Sequence, residues 1–325
     1  MNRRRFIAGL MMPLVPRSAW AQRLTPARIP RVGILTPADT DQTPIFDALR
    51  RGLRELGYVE ERDIILEFRL ARGDMSAVPR LAADLVDQRV DIIVTDGPQV
   101  LPHVVAATKT IPIVIGATVN DPVMLGFASS DAHPGGNVTG FILHPAELSA
   151  KRLELLHAAF PDAAVVTALL NSAENLEEVY RATVEAGASH GLTIHRVEVD
   201  GPEALRMLRQ DSFYPRAPLL VLPGAMFWNH RSEIIALAAA AHVPALYPER
   251  EYADDGGLIA YGANVPDNFR RAADYVDRIL KGARPGDLPI QSPTKFDFII
   301  NLRTAKALGL TLPPSFLIRA DEVIE

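Results

Sequence analysis

The sequence predicts an α/β protein with two parallel-sheet lobes, on three observations. Short apolar, β-branched runs alternate with longer amphipathic segments from Arg31 onward, the pattern of a parallel sheet covered by helices on both faces. The alternation halts at "PGGNVTGF" (134–141) and then restarts. At 325 residues the chain exceeds one typical core, so two domains of ~100–200 residues each are expected.

In the first half, "RVGILT" (31–36) reads as a strand. "PIFDALRRGLRELGY" (44–58) reads as a helix, with Ile45, Leu49, Leu53 and Leu56 near helical spacing and Gly57 as its stop. A strand over 63–70, a helix over 77–88 and a strand over 90–95 follow. "PQVLPHVVAATK" (98–109) reads as a helix despite Pro102, and "IPIVIGA" (111–117) as a buried strand. The second half repeats the pattern. Helices are expected over 145–160, 174–191, 202–211 and 230–242, and strands over 163–171, 192–199, 217–224, 243–248 and 256–262. One more amphipathic helix (265–283), a last strand (295–301) and a last helix (302–310) complete the chain. There is no low-complexity segment and no repeat of 20–50 residues.

Composition removes several classes of function. With no cysteine there is no disulfide, thiol catalysis, thiolate metal site or lipidated anchor cysteine. A net charge of −5, with no basic stripe beyond the N-terminus, argues against a nucleic-acid partner. The first 21 residues read as a secretory signal peptide: Arg3, Arg4 and Arg5, then "FIAGLMMPLVP", then an Ala19-Trp20-Ala21 cleavage site. Arg3-Arg4 before Phe6 and Ile7 resembles a twin-arginine signal, with Asn2 where Ser or Thr is usual. Export by the general or the twin-arginine route stays open, and an uncut N-terminal anchor is the alternative. No later segment reaches the ~18–20 apolar residues that span a bilayer. The expected location is the periplasm, free of a lipid anchor.

In open parallel sheets, ligands bind outside the carboxyl ends of the strands, at a switch point in strand order. That rule explains "TIPIVIGATVNDPV" (110–123), where a core strand runs into Thr118, Asn120, Asp121 and Pro122. The other polar tips are Thr36-Pro37, Thr95-Asp96-Gly97-Pro98, Asn171-Ser172, Pro223-Gly224-Ala225 and Tyr261-Gly262. Two sheets facing each other by these ends would form a cleft. Gly97-Pro98 suits a helix start, and Asn171-Ser172 precedes a helix rich in early Glu. Helix starts expose N–H groups that seat a carboxylate, while Asp121 and Glu249 are suited to an ammonium. The competing explanation is turn chemistry, in which Asp and Asn after a strand satisfy nearby backbone.

Six stretches, in order and at natural spacing, resemble one family: 54–74, "IPIVIGATVNDPVMLGF" (111–127), "PGGNVTGF", "KRLELL" (151–156), "GGLIAYG" (256–262) and the tail from "PTKFDFIINLRTAKALGL" (293–310) to Glu325. It is the ABC-transporter substrate-binding family related to tryptophan- and tyrosine-binding lipoproteins, with a type I periplasmic-binding-protein fold. The resemblance implies two Rossmann-like lobes, residues 30–142 plus 264–290 and residues 143–263 plus 291–325. It also implies three hinge crossings, near Phe141–Pro145, Gly262–Val265 and Pro289–Lys295, with the 266–282 helix in the first lobe and the final strand in the second. Thr36, Thr95, Gly97, Thr118 and Asp121 would face the cleft from the first lobe. Asn171, Gly224, Ala225, Glu249 and Tyr261 would face it from the second, and Pro37 and Pro98 complete the candidate set. The implied protein is a monomeric binding protein for a small molecule, delivered by hinge closure to a membrane permease, with no cofactor, metal or catalytic residue. The lipoprotein cysteine is missing here. Phe227 and Trp228 of "PGAMFWN" (223–229) either stack a ligand or fill core.

Two rival readings remain at this point: a sensor that signals to a membrane receptor, and an exported two-lobed transferase. The second needs a nucleophile, metal site or phosphate loop. "GASHG" (187–191) matches the hydrolase G-x-S-x-G but lies after a helix instead of after a strand, so Ser189 is expected in a helix-ending turn. The eight histidines show no tight metal spacing, and "PGGN" and "GGLIAYG" lack G-x-G-x-x-G and a P-loop lysine. An amino acid or similar small carboxylate is the expected ligand; a neutral amide, a purine-like ring or an aromatic acid remains open.

Overall fold

The computed structural model describes residues 28–325, apart from Asn175 and Arg216. The expected signal peptide lies outside the described residues. No helix among these residues is long and apolar enough to cross a membrane.

The first half forms a five-stranded sheet from β1 (Arg31–Thr36), β2 (Ile65–Leu70), β3 (Ile92–Asp96), β4 (Ile113–Ala117) and β5 (Val138–Gly140). Its order is β2-β1-β3-β4-β5, with every pairing parallel. Helices α1 (Pro44–Glu55), α2 (Val78–Asp87) and α3 (Leu101–Ala107) connect the strands. The second half contains α4 (Ser149–Ala159), β6 (Val165–Asn171), α5 (Glu177–Ser189), β7 (Thr193–Val199), α6 (Gly201–Met207) and β8 (Leu219–Val221). It continues through α7 (Ala225–Asn229), α8 (Arg231–Ala240), β9 (Ala245–Tyr247), α9 (Arg250–Asp254) and β10 (Ile259–Ala263). After α10 (Val265–Leu280) come β11 (Phe296–Asn301), α11 (Leu302–Ala307), α12 (Pro314–Leu317) and β12 (Glu322–Ile324). The second sheet runs β12-β11-β10-β9-β8-β6-β7, parallel except where β11 meets β10.

Period-2 side-chain alternation explains the two-layer covering of the first sheet. Val32 and Ile34 of β1, Ile92 and Val94 of β3, and Val114 of β4 pack with Phe46, Leu49 and Leu53 of α1 and with Phe269, Ala272 and Val276 of α10. The intervening Leu35, Ile93, Ile113 and Ile115 pack instead with Val78, Ala82 and Leu85 of α2 and with Leu101, Val104 and Val105 of α3. Strands buried on both faces have to read as unbroken apolar runs. Helix α10 returns to the first sheet after the second half is complete, and β11 joins the second. Phe269 needs Gly116 beneath it, because an added Cβ would come within 2.3 Å of its ring. Gly116→Ala is expected to destabilise the protein by about 1–3 kcal/mol, the usual cost of overpacking, read as a lower urea midpoint at unchanged slope.

The structure departs from the sequence reading in a few places. Helix α3 starts at Leu101, so Pro98 is not its first residue and Pro102 takes its second position. The cause is Gly97, whose φ of +86° turns the chain while its N–H reaches the Ala117 carbonyl. Residues 225–229, 250–254 and 322–324 form short elements that no periodicity announced. Each is shorter than the window a 3.6- or 2-residue period needs to become visible.

Candidate functional site: the carboxyl edges of two sheets

Both sheets contain the same strand order. β2-β1-β3-β4-β5 in the first corresponds to β7-β6-β8-β9-β10 in the second. In this order the switch point lies between the first and third strands of each set, and crevices open there. The carboxyl ends of β5 and β10 run into the segments that connect the two halves. The end of β5 continues into Phe141 and Ile142, whose N–H groups bond Ile115 and Gln291 carbonyls, and Leu143 N–H bonds the carbonyl of Thr118 beyond β4. The end of β10 continues into Asn264, whose N–H bonds the Lys295 carbonyl. Strand tips from both halves therefore meet the same crossings.

At the first switch point Thr36 Oγ1 donates to Asp96 Oδ2 at 3.1 Å and accepts from Ala38 N–H. Thr36 is fully buried. Asp96 retains some accessible surface although protein surrounds it. Burial pushes its carboxyl up to about 6, against the Thr36 hydrogen bond. Gly97 lies 3.9 Å, measured from an added Cβ, from the Pro37 ring, so Pro37, Gly97 and Pro98 line one rim. Asn120 Nδ2 reaches the Pro98 carbonyl at 3.2 Å and joins that rim to the loop after β4. There Thr118 Oγ1 accepts from Asn120 N–H, and Asp121 Oδ1 accepts from Val123 N–H at 2.7 Å and Met124 N–H at 3.3 Å. Asp121 thus shapes its own loop with one oxygen. Thr95 and Thr118 are buried to 1% exposure, and Thr95 Oγ1 finds no partner. Strand alternation turns Thr95 toward α2 and α3 and sends its neighbour Asp96 to the opposite face.

At the second switch point the organiser is Glu174, which the sequence reading passed over. Its Oε1 accepts from Asn171 Nδ2 at 3.2 Å and from Met226 N–H at 3.0 Å. An added Cβ on Gly224 would meet Glu174 Oε2 at 2.5 Å, which is why glycine stands there. Asn171 Oδ1 accepts from Ala173 N–H. The expected N-cap is therefore a turn instead: α5 begins at Glu177, with no side-chain cap. Ala225, half-buried, opens α7 beside this carboxylate.

Glu249 follows β9, as Thr118 to Asp121 follow β4. It too is half-accessible within surrounding protein, and burial pushes its carboxyl up to about 8. Arg152 opposes that rise, while Glu251 and Glu174 add to it. Arg152 itself is buried on α4, where its Nε donates to the Tyr261 carbonyl at 3.1 Å and its Nη2 to the Pro248 carbonyl at 3.4 Å. Its Nη1 has no partner. One guanidinium thus ties the tips of β9 and β10 together. Lys151-Arg152 was legible only as part of "KRLELL"; nothing in helical spacing separates a buried arginine from a solvated one. Tyr261 is half-buried and stacks on Phe296 with centroids 6.3 Å apart.

Phe227 is core, with no exposed surface. Trp228 is half-buried, edge-on to Tyr252, with the Arg231 guanidinium 5.0 Å from its ring centre. The Tyr252 hydroxyl is buried and unpartnered, and its electrostatic neighbours include Glu249 and Glu174. Ser189 ends α5 and bonds the Glu185 carbonyl. Among the described residues no group of three or more His, Asp or Glu is placed to hold a metal ion. No hydrogen bond or ion pair among these residues joins the tips of one sheet to those of the other.

The chain matches the family model described as ABC transporter substrate binding protein over residues 32–324. It is 26% identical over 275 residues to a tyrosine-binding protein of Clostridioides difficile strain R20291, a match covering 82% of this chain and 78% of that one. Its fold resembles that of an ABC domain from Streptococcus pneumoniae solved with L-Trp, with a TM-score of 0.82 at 24% identity, covering 91% and 99% of the two chains. It also resembles a ligand-free, open substrate-binding protein with adhesive properties from Clostridium difficile, with a TM-score of 0.70 at 23% identity, covering 91% and 99%.

Proposed function

The chain belongs to the ABC transporter substrate-binding protein family, with a type I periplasmic-binding-protein fold, and from that premise we propose that it captures an amino acid between its lobes. Aromatic amino acids are the first candidates, since similar proteins carry tyrosine in the name and L-Trp in the crystal. The observation that supports this reading is the pair of switch points, each with a half-accessible, protein-enclosed carboxyl nearby, Asp96 in one half and Glu249 in the other. The ligand ammonium goes to Glu249, with Glu174 and Asp96 as neighbouring acids. No lysine or arginine is among the candidate tip residues, and the N–H groups of Gly97, Asn120, Val123, Met124 and Met226 already have acceptors within the protein, so the ligand carboxylate falls to the remaining backbone N–H groups of the loops after β3, β4 and β8.

Each lobe holds half of the site, so a ligand touching both favours closure by its differential affinity for the closed form. The lobes close by bending at the three crossings. The joined face is then presented to a membrane permease, and the protein works in the periplasm after export. No covalent step on the ligand enters this reading. Thr36, Thr95 and Thr118 support the tips from beneath, while Pro37, Gly97, Pro98, Asp121, Asn171, Gly224, Ala225 and Tyr261 shape the rims.

The test is calorimetry with L-tyrosine and L-tryptophan, beside the matching amine without a carboxylate and acid without an ammonium. Binding of at least one amino acid and loss of affinity for the acid are expected; binding of neither amino acid would overturn the substrate class. Asp121→Ala frees the Val123 and Met124 N–H groups. Without those two bonds the loop after β4 loses its fixed shape and has to be ordered on binding, so affinity is expected to fall about 5–10-fold, the worth of about one hydrogen bond, with little change in melting temperature. Unchanged affinity would remove Asp121 from the site.

A further inference from the structure

Helix α10 grips the third crossing through Asp267, Arg271 and Tyr275, one residue from each of three successive turns. Tyr275 Oη donates to the Pro289 carbonyl at 2.6 Å. The Arg271 guanidinium donates to the Gln291 side chain, to the Ser292 carbonyl at 3.4 Å and to Thr294 Oγ1 at 3.3 Å. The same guanidinium lies 4.7 Å from the ring centre of Phe141, on the first crossing. Phe141 in turn packs on Tyr275 and is bridged to Gln291. One turn before Arg271, the nearly buried Asp267 accepts from Lys295 Nζ at 3.0 Å. Residues 289–295 are thus moored to a helix of the first lobe, and none of these partners is a strand-tip residue of the cleft.

A flexible segment bends wherever its dihedrals are free, and a moored one bends only beyond its last anchor. Closure through the third crossing is therefore confined to the junction of Lys295 and Phe296 while the mooring holds. A planar five-donor fork is suited to this, because one side chain holds Gln291, Ser292 and Thr294 at once. We propose that Arg271 is a positioning residue that fastens the third crossing to the first lobe and so sets how readily the lobes close. This rests on the closure reading above.

The chain has no cysteine, so Met124→Cys after β4 and Ala173→Cys after β6, both exposed, give a clean pair for spin labels. Pulsed-EPR distances are measured without ligand and with saturating L-tyrosine as the probe. In Arg271→Ala the ligand-free distribution is expected to broaden and gain a shorter population. Affinity for L-tyrosine is expected to rise about 3–10-fold, since apparent affinity scales with the binding-competent fraction. Arg271→Lys should fall between Ala and the parent, and Lys295→Met should shift the distribution in the same direction. A variant that only melts earlier, with parental distances and affinity, overturns the proposal, and so does weaker binding. If L-tyrosine binds the parent without changing its distances, the closure reading itself falls and takes this proposal with it. If L-tyrosine does not bind at all, the ligand-free distances still decide the role of Arg271.

Discussion

Glu249→Gln is expected to weaken binding of an ammonium-bearing ligand about 10–100-fold, the loss of one charge-assisted contact in a desolvated site. It should also abolish most of the pH dependence of binding between about 6 and 8. Burial holds the Glu249 carboxyl up to about 8, so at neutral pH it is mostly protonated. An arriving ammonium needs the ionised form, so binding expels a proton. Affinity should therefore climb as pH rises toward 8, by at most about tenfold per unit for one proton. Stability should move the other way. The folded value lies above the ordinary 4.5, so the folded state holds the extra proton across that window. The favourable contribution is whole below about 4.5 and is lost as pH rises to about 8. Calorimetry in buffers of different ionisation enthalpy counts the released proton, and urea melts at several pH values give the stability slope. Glu249→Gln should flatten both. A parent whose affinity is flat from pH 6 to 8 would remove Glu249 from the ligand's ammonium.

Arg152→Ala is expected to cost about 3–5 kcal/mol of stability, the range for breaking a buried charged group out of its hydrogen bonds. Two effects add. The carbonyls of Pro248 and Tyr261 lose their donors, and a buried arginine-sized space is left under the tips of β9 and β10. Arg152→Lys should recover only part of the loss, because a single ammonium cannot serve both carbonyls in the guanidinium's fork. The same change should carry a functional signature. Arg152 restrains the rise of the Glu249 carboxyl, so removing it should displace the binding profile to higher pH. Urea midpoints give the first effect and pH-dependent titration the second. Wild-type stability together with an unmoved profile would sink both claims.

What was legible in the residues was whatever burial imposes along a single element. The runs 31–36, 90–95 and 111–117 had to hold strands buried on two faces, and β1 fills the first while β3 and β4 begin two residues into the others. The spacing of Leu49 and Leu53 had to give a helix with one apolar face, and α1 is one. Strand tips were legible as polar clusters, yet which side chain of a tip faces the recess was not. Thr95 and Asp96 are neighbours, and only the pleat decides that the acid lies with Thr36 while the threonine is buried on the other face. Glu174 stood unremarked among the early glutamates of a helix because its partner, Met226 N–H, is 52 residues away. Arg152 gave no signal of its own because the carbonyls that hold it lie 96 and 109 residues along the chain.

By itself, then, the order of apolar and amphipathic runs determined the alternation of strands and helices, and with it a two-sheet protein with polar carboxyl ends. Local periodicity reports how each element is half-buried, and that information is carried within ~10–20 residues. Only the tertiary structure decided the antiparallel entry of β11, the acids at each switch point and the arginines that tie tips and crossings. Those depend on contacts between segments far apart in sequence, where a charged residue looks the same whether water or a distant carbonyl will satisfy it.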